Sequence, residues 1–256
     1  MSNKIAFPMY DLHRPDSEAL LRALQTLLAA RGIATDPAWP QADLLTHWQD
    51  DDLLLSQACG YPLVTQLSEV QTVGCFHYSA PGCEGIRYRS LLVVRQNDRH
   101  KTLADFRGSR AVCNAPDSQS GYNVFMQMVA PLAQQGIFFN EIIFSGSHRQ
   151  SLVEIGEGRA DIAAIDCVTF ALLQRHAPML VADLAVIGAS RAAPGLPLIT
   201  SRRTSPSRIA LLRDALTQLV SDPAYTTPCT ALFISGFSEV SRQDYASLLT
   251  ADYPPL

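Results

Sequence analysis

The stretch "FNEIIFSGSHRQSLVEIGEGRADIAAIDCVTFALLQRH", from Phe139 to His176, alternates between two kinds of pattern. "FNEIIFSGS" and "ADIAAID" are short apolar runs that predict strands, whereas "HRQSLVEIGEG" and "CVTFALLQRH" have the apolar spacing of helices. Two strands that follow one another through a helix run parallel, and such sheets are covered by helices on both faces. The stretch therefore predicts an α/β protein.

The same alternation extends outward over nearly the whole chain. Further predicted strands are "KIAFPMY", "DDLLLSQACG", "VQTVGCFHY", "RYRSLLVVRQ", "SRAVCN", "LAVIGAS" and "GLPLITS". Predicted helices are "SEALLRALQTLLAARG", closed by Gly32, "LADFRG" and about 122–135, and the remainder from "SRIALLRDALTQLVSD" onward is predicted to be helical with loops. We expect mixed, mostly parallel sheets.

Composition excludes several classes of protein. The chain has 256 residues, of which 47% are hydrophobic and 17% charged, so it is globular and long enough for one large or two modest domains. Its formal net charge of −4 and its lack of a dense basic run argue against nucleic-acid and anionic-membrane binding. No stretch is long and apolar enough to predict membrane insertion.

The cysteines are scattered, and none forms a C-x-x-C motif or lies at zinc-finger spacing from a histidine. They are Cys59, Cys75, Cys83, Cys113, Cys167 and Cys229. This pattern predicts buried thiols and no metal site. Cys75 and Cys83 flank a predicted turn and could be bridged if the protein were exported.

Polar residues follow the predicted strands, where an open α/β sheet normally holds its ligand. They are Tyr10–Asp11, the group Cys59, Gly60 and Tyr61, Asn114–Tyr122, Ser145–His148 and Asp166. The set is rich in hydroxyl groups and poor in formal charge. It therefore predicts capture of a small polar ligand through hydrogen bonds rather than acid–base or metal chemistry.

The serines at these junctions allow two interpretations. In "DSQSGY", Ser118 and Ser120 either cap a helix or, with Gly121, form an anion site at its amino end. Ser147 and Gln150 match a capping box, which explains that serine completely.

Three further side chains are equally open to two interpretations. His148 is predicted at the first position of a helix, either in solvent or facing a crevice. Asp166 either caps the next helix or accepts from an amine or hydroxyl of a ligand. Tyr88 either packs inward or donates its hydroxyl group into a cleft.

Ser, His and Asp in one chain raise the possibility of a hydrolase triad. The sequence contains no G-x-S-x-G elbow, so this possibility is not favoured. G-x-G-x-x-G and P-loop motifs are absent as well, and no cofactor is expected.

Taken together, the motifs resemble those of a known family. "CNAPDSQSGYNVF", "FSGSHRQSLVEIGEGRADIAAIDCVTF" and "APGLPLIT", with the earlier "FPMYD", "SQACGYPL" and "PGCEGIRYRSLLVV", resemble the phosphate/phosphite/phosphonate substrate-binding proteins of ABC transporters. The resemblance implies a type II periplasmic-binding-protein fold, in which two α/β lobes joined by two crossing strands hold the ligand between them. It implies a first lobe of 1–91 plus 191–256, a second lobe of 92–190, and crossings at "SLLVV" and "VIGAS".

The resemblance also implies roles for individual residues. Ser118 and Ser120 match the serines that hold the anion, with help from the backbone of Gly121 and Tyr122. Tyr88 and His148 match the cleft tyrosine and histidine, and Asp166 matches a polar position toward the other end of the ligand. Tyr10, Cys59, Gly60 and Tyr61 would line the first lobe.

The expected protein is a monomeric, non-enzymatic binder of a small anion, with an ABC permease as a partner. The sequence "MSNKIAFPMYD" lacks the pattern of a signal peptide, so we expect a short cytoplasmic form, or a periplasmic protein if the chain was trimmed. Two alternatives stay open: an enzyme on the same fold, similar to chorismate-dehydratase-like proteins, and a ligand sensor.

Overall fold

The structure, a computed structural model, describes residues 3–40 and 43–249. The strands are Lys4–Ala6 (β1), Asp36–Pro37 (β2), Leu53–Gln57 (β3), Gln71–Tyr78 (β4), Arg87–Tyr88 (β5), Ser90–Arg95 (β6), Arg110–Cys113 (β7), Glu141–Phe144 (β8), Ile162–Asp166 (β9), Leu184–Ala189 (β10), Ala193–Pro194 (β11), Pro197–Thr200 (β12) and Ile234–Ser238 (β13). The α-helices are Arg14–Ala29 (α1), Leu44–Trp48 (α2), Gly60–Thr65 (α3), Val124–Val129 (α4), His148–Gly156 (α5), Cys167–His176 (α6), Pro178–Val181 (α7), Pro206–Ser221 (α8) and Thr226–Ala231 (α9). A π-helical turn spans Gln119–Asn123, and short 3-10 helices span Gln96–Asp98, Leu103–Phe106, Ala130–Leu132, Pro223–Tyr225 and Arg242–Leu248.

The described chain divides into two compact units. The first unit contains the residues up to Ser79 together with Glu84–Arg87 and Pro194–Leu249, and the second unit contains Ala80–Cys83 and Tyr88–Ala193. The lobe bounds inferred from the sequence stay a prediction, and their outermost residues, 1–2 and 250–256, lie outside the described residues.

The first unit is built on a six-stranded sheet in the order β13-β4-β12-β3-β1-β2. Helix α1 begins with a proline in its first turn and buries Leu20, Leu24, Leu27 and Leu28, which recur at helical spacing on one face. Burial of each such leucine contributes about 1.5–3 kcal/mol. Gly32, with φ of +74°, lies just after the helix, where the sequence predicted its end.

The second unit is built on a five-stranded sheet in the order β10-β6-β9-β7-β8. Strands β7 and β8 pair in parallel, as do β7 and β9, so their carboxyl ends lie at one edge of the sheet. The predicted crossing segments "SLLVV" and "VIGAS" correspond to β6 and β10, which pair antiparallel in this sheet. Phe106, Phe125 and Phe139 belong to the core of the unit.

Asp161 fixes the amino ends of two strands in the second unit. Its carboxylate accepts from the Arg110 backbone N–H at 3.0 Å and from the Arg110 side chain, and Arg95 donates to it at 2.8 Å. Arg95 also donates to the carbonyl of Ala160 at 2.6 Å. Charge-assisted hydrogen bonds of this kind hold β7 and β9 in register. The fixed register also fixes the positions of the residues at the carboxyl ends of these two strands.

The mixed α/β class is confirmed, but the expected predominance of parallel pairing is wrong. Strands β12 and β13, contributed by the last quarter of the chain, run antiparallel to β3 and β4. Strand β13 was also missed, because the whole segment after "SRIALLRDALTQLVSD" was predicted to be helical with loops, including the short run "ISGFS". Strands β5 and β11 pair in a separate two-stranded sheet. In the part of the chain that the structure describes, no helix has the length and apolar character needed to cross a membrane.

Candidate functional site

The carboxyl edge of the β7–β8–β9 ladder in the second unit gathers the predicted polar residues. β7 ends at Cys113 and is followed by 114–122, β8 ends at Phe144 and is followed by Ser145–His148, and β9 ends at Asp166. Parallel strands deliver the residues that follow them to the same edge, which is where open α/β sheets hold ligands. The structure therefore brings Ser118, Ser120, His148 and Asp166 into one region of one unit.

The segment after β7 forms a π-helical turn before it continues as α4. Ser118 caps this turn, its Oγ accepting from the Gly121 N–H at 3.1 Å, and its carbonyl accepts from the Asn123 N–H at 2.9 Å. The Tyr122 N–H donates to the same carbonyl at 3.3 Å. The N–H groups of Gly121 and Tyr122, which the resemblance assigned to the anion, thus donate within the turn in this structure. Such π-turns recur at functional sites.

His148 lies at the centre of the cluster. Its Nε2 is 2.9 Å from Ser120 Oγ and 3.5 Å from Asp166 Oδ2. The side chains of His148 and Asp166 are only 12% and 4% exposed. Burial lowers the pKa of His148 below its usual 6.5, and the nearby Asp166 carboxylate opposes that shift. The imidazole is therefore neutral at pH 7.

The neighbours of Nε2 determine which ring nitrogen carries the proton. A lone pair on Nε2 would face the Asp166 carboxylate, which is repulsive, so we assign the Nε2–H tautomer, with Nε2–H donating to Ser120 Oγ. The hydroxyl hydrogen of Ser120 is then available to donate elsewhere. A neutral histidine in this arrangement presents a serine hydroxyl as a donor, which is what an oxyanion requires.

This geometry differs from that of a hydrolase triad. In a triad the serine and the aspartate bind opposite nitrogens of the imidazole ring. Here Ser120 and Asp166 both approach Nε2, and Nδ1 of His148 has no hydrogen-bond partner among the described residues. The cluster therefore lacks the arrangement that would activate Ser120 as a nucleophile.

Asp166 has a second role, in the backbone. Its Oδ1 accepts from the Thr169 N–H at 2.9 Å, so it caps α6, as local sequence favoured. Ser147 caps α5 in the same way, its Oγ accepting from the Gln150 N–H at 3.1 Å. The Gln150 side chain donates to Glu154 instead of returning to Ser147. One half of the predicted capping box is therefore formed.

Two amide side chains near the cluster lie in the polar range 114–122 that the sequence indicated, but no role was predicted for either of them. Gln119 is 1% exposed, and both polar atoms of its side chain lack a partner in the described part of the chain. Asn114 Oδ1 is buried and equally unpaired there. Buried polar atoms almost always have hydrogen-bond partners, so these two amides are candidates for contact with a ligand. For Asn114, the position directly after β7 was the signal that could have indicated it.

Gly121 permits the close packing of this region. A Cβ on residue 121 would lie 1.8 Å from Asn114 Oδ1 and 3.0 Å from His148 Cε1. Asn114 and His148 thus both pack directly against the backbone of the π-turn. The glycine is required here by the space available, since its φ lies outside the left-handed region.

The two tyrosines predicted for this unit lie in different environments. The Tyr122 ring packs against the core and against Phe144, with ring centroids 5.5 Å apart, so its side chain serves the fold. Tyr88 is 4% exposed in β5, and both interpretations of its role stay predictions.

The remaining predicted residues belong to the first unit. Tyr10 is buried, with its ring edge-on to Tyr78 at 5.2 Å between centroids. Cys59 is buried and precedes α3, whose first two residues are Gly60 and Tyr61. A Cβ on Gly60 would lie 2.8 Å from a methyl carbon of Leu248, so packing explains that glycine.

Two units that each carry an α/β sheet, with a polar cluster at a strand edge of the second unit, are features that this chain shares with solute-binding proteins. The model of the phosphonate ABC-transporter periplasmic substrate-binding protein family matches residues 45–245, well over half of the chain. The chain belongs to this family, which confirms the resemblance seen in the sequence.

Solved structures agree with the fold. The chain is similar to a binding-protein component of an ABC phosphonate transporter from Pseudomonas aeruginosa, with a TM-score of 0.79, 15% identity and coverage of 97% of this chain and 84% of that chain. For PhnD1 from Prochlorococcus marinus in complex with methylphosphonate, the TM-score is 0.77 at 14% identity, covering 97% and 96%. For XAC2383 from Xanthomonas citri bound to ATP, it is 0.74 at 15% identity, covering 98% and 97%. The periplasmic-binding-protein fold is thereby confirmed.

The search of curated proteins found no match. The family consists of substrate-binding components of transporters, so the chain is a solute-binding protein and not a member of an enzyme family. Membership also implies a small ligand and a permease partner.

Proposed function

We propose that the protein captures a small oxyanion of the phosphate or phosphonate class for an ABC permease, and that Ser118, Ser120 and His148 hold the anionic group. The observation that carries the proposal is the buried contact between Ser120 Oγ and His148 Nε2, 2.9 Å apart, at the carboxyl edge of the second unit. The methylphosphonate complex of the Prochlorococcus marinus protein supports the ligand class.

The serines act as hydrogen-bond donors. Ser120 receives from His148 and is left to donate its hydroxyl hydrogen. Ser118 uses a lone pair to accept from the Gly121 N–H, so its hydroxyl hydrogen also stays available. Two neutral donors suit an oxyanion because a hydrogen bond to a charged acceptor contributes about 1.5–3 kcal/mol.

His148 supplies the charge. An anion placed against the imidazole raises the pKa of His148, and Asp166, 3.5 Å from Nε2, stabilises the imidazolium further. Protonation would also convert the unpaired Nδ1 into a donor. Because burial holds the pKa of His148 below 6.5 without an anion, binding takes up a proton, and affinity increases as the pH falls toward 6.

The other predicted contacts complete the proposal. Asp166 would accept from an amine or hydroxyl at the far end of the ligand, and Gln119 and Asn114 offer further polar atoms. Contacts from Tyr88 and from Tyr10, Cys59, Gly60 and Tyr61 stay predictions of the resemblance. The protein is proposed to act as a monomer without a cofactor, with no affinity for nucleic acid.

The test is calorimetric titration of the full chain with phosphate, phosphite, methylphosphonate, aminoalkylphosphonates, sulfate and small carboxylates. Ser120→Ala should weaken binding of the preferred oxyanion by about 10- to 150-fold, the equivalent of one hydrogen bond to a charged group. Ser109→Ala is the matched control, because Ser109 precedes the opposite end of β7 and also makes one hydrogen bond, to the Phe106 carbonyl at 2.6 Å.

Two results would contradict the proposal in different ways. Equal affinity of wild type and Ser120→Ala would place the anion elsewhere in the protein. Absence of binding by every oxyanion tested would refute the ligand class itself. The role of His148 is tested separately with His148→Gln, which should bind the oxyanion more weakly. Titration of the ligand changes the affinity of wild type and variant equally, so the difference between them isolates the pH dependence due to His148. This difference should show that the variant loses the increase in affinity at low pH that His148 causes.

A further inference from the structure

Two cysteines that are distant in sequence meet in the second unit. Cys83 Sγ lies 3.4 Å from Cys167 Sγ, and the two residues are 84 positions apart. Both sulfurs are thiols. A disulfide requires about 2.05 Å between sulfurs, so a shift of about 1.4 Å would close the bond. Cys75, the partner considered for Cys83 from the sequence, is also a free thiol in the structure.

The local backbone holds the two thiols together. Gly82 has a φ of +98°, and a Cβ at that position would lie 3.2 Å from Cys167 Cβ. Only glycine combines that backbone conformation with so close an approach, and it directs the next residue, Cys83, onto Cys167. On the other side, Cys167 is the first residue of α6, and its N–H donates to the Arg89 carbonyl at 2.9 Å.

The environment of Cys167 differs from that of other buried cysteines. A hydrogen bond from Cys83 lowers the pKa of the Cys167 thiol despite burial, with help from backbone N–H groups. Burial instead raises the pKa of Cys113 and Cys75 to about 12 and that of Cys229 to about 11. Among these four thiols, only that of Cys167 has a lowered pKa.

We propose that Cys83 and Cys167 form a redox-modification site, at which thiol–disulfide exchange with a small disulfide such as oxidised glutathione produces an intramolecular disulfide. Cys83 is half-buried and Cys167 is 1% exposed, so the reagent meets Cys83 first. The Cys83 thiolate attacks one sulfur of the reagent and releases one glutathione thiolate, which takes up the proton lost from Cys83.

The Cys167 thiolate then attacks Cys83 Sγ in the mixed disulfide and releases the second glutathione. The protein loses two electrons and two protons, and one oxidised glutathione becomes two reduced molecules. Because Cys167 directly follows Asp166, the new bond lies next to the candidate anion site, although its formation does not depend on the proposed ligand.

The experiment exposes the full chain to oxidised glutathione or to dithiothreitol at pH 8, then alkylates every remaining thiol with iodoacetamide in guanidinium. Intact mass should show that the oxidised sample carries two alkyl groups fewer than the six of the reduced sample. Proteolysis without reduction should yield a peptide that links Cys83 to Cys167.

Variants test the partners and the order of attack. Cys167→Ser should retain one glutathione on Cys83 and form no internal disulfide, and Cys83→Ser should show no loss of alkylation. Cys229→Ala is the control and should still lose two alkylation sites. Complete alkylation of the oxidised wild type, or a linked peptide that joins other cysteines, would overturn the proposal.

Discussion

Gly121→Ala is the substitution that tests most directly how the candidate site is packed. The added methyl group would begin 1.8 Å from Asn114 Oδ1, 2.9 Å from Asn114 Cγ and 3.0 Å from His148 Cε1. Contacts this short cannot persist, so the Asn114 amide must rotate away and the imidazole must shift by some tenths of an ångström. The backbone conformation itself is acceptable to alanine.

The expected cost follows from this overpacking. Forcing an extra methyl group into a packed region costs about 1–3 kcal/mol, which lowers the melting temperature of a chain of this size by roughly 2–12 °C. Displacement of His148 also disturbs its 2.9 Å hydrogen bond to Ser120. We therefore expect Gly121→Ala to lose both stability and oxyanion affinity.

A double-mutant cycle separates the contact with Asn114 from other effects. Asn114 Oδ1 has no partner among the described residues, so Asn114→Ala removes the obstructing atom without removing a hydrogen bond to that oxygen. Measured by urea denaturation, Gly121→Ala should cost at least about 0.5 kcal/mol less in the Asn114→Ala background than in wild type. An equal cost in both backgrounds, or no cost in wild type, would refute this account of the packing.

Three further outcomes follow from the second unit. Burial lowers the pKa of His148 below 6.5, so the unfolded chain binds the proton more tightly than the folded chain does. The free energy of unfolding should therefore fall as the pH drops below about 6.5. His148→Gln should reduce that loss, as measured by denaturation curves recorded at each pH. Burial alone would raise the pKa of Asp161, but the hydrogen bonds from Arg110 and Arg95 outweigh it and hold that pKa below 3.8. The stabilisation by Asp161 is therefore present at neutral pH and lost as the pH falls below about 4. Asp161→Asn should lower the free energy of unfolding by about 1–3 kcal/mol at pH 7 and reduce the acid-dependent loss of stability in the same curves. Phe125→Ala, at a fully buried position, should cost about 3–5 kcal/mol in urea denaturation, and a cost below 1 kcal/mol would contradict the assignment of this residue to the core.

The sequence predicted well where several strands end, because strand ends are easily recognised. "ADIAAID" became β9, which starts two residues later at Ile162 and ends as predicted at Asp166. "CVTFALLQRH" became α6 with the same bounds, which places Asp166 at the junction. Short apolar runs followed by polar or small residues carry this information locally. The pairing of β7 with both β8 and β9 then brought three junctions to one edge.

The details inside the site could not be predicted, since they depend on contacts across the unit. The helix expected over about 122–135 begins instead as a π-turn at Gln119 and continues as α4 only to Val129. Neither the π-turn nor the unpaired amide of Gln119 has a local sequence signature. The meeting of Cys83 with Cys167 also joins segments that no spacing rule connects.

The sequence left open a choice between helix cap and binding residue, and at two positions the observed cap leaves an atom available for binding. Asp166 caps α6 through Oδ1 and directs Oδ2 toward His148 Nε2. Ser118 caps the π-turn through a lone pair, which leaves its hydroxyl hydrogen available to a ligand. In both cases the cap fixes the rotamer that binding would need, so little side-chain entropy is lost when the ligand arrives. A residue that serves only as a cap would tolerate exchange with another capping residue. Asp166→Asn should therefore keep the stability of α6 within about 1 kcal/mol, while lowering the pKa of His148 further and with it the affinity for an oxyanion at pH 6. If Asp166→Asn leaves that affinity unchanged, as measured by calorimetry, Asp166 is only a cap.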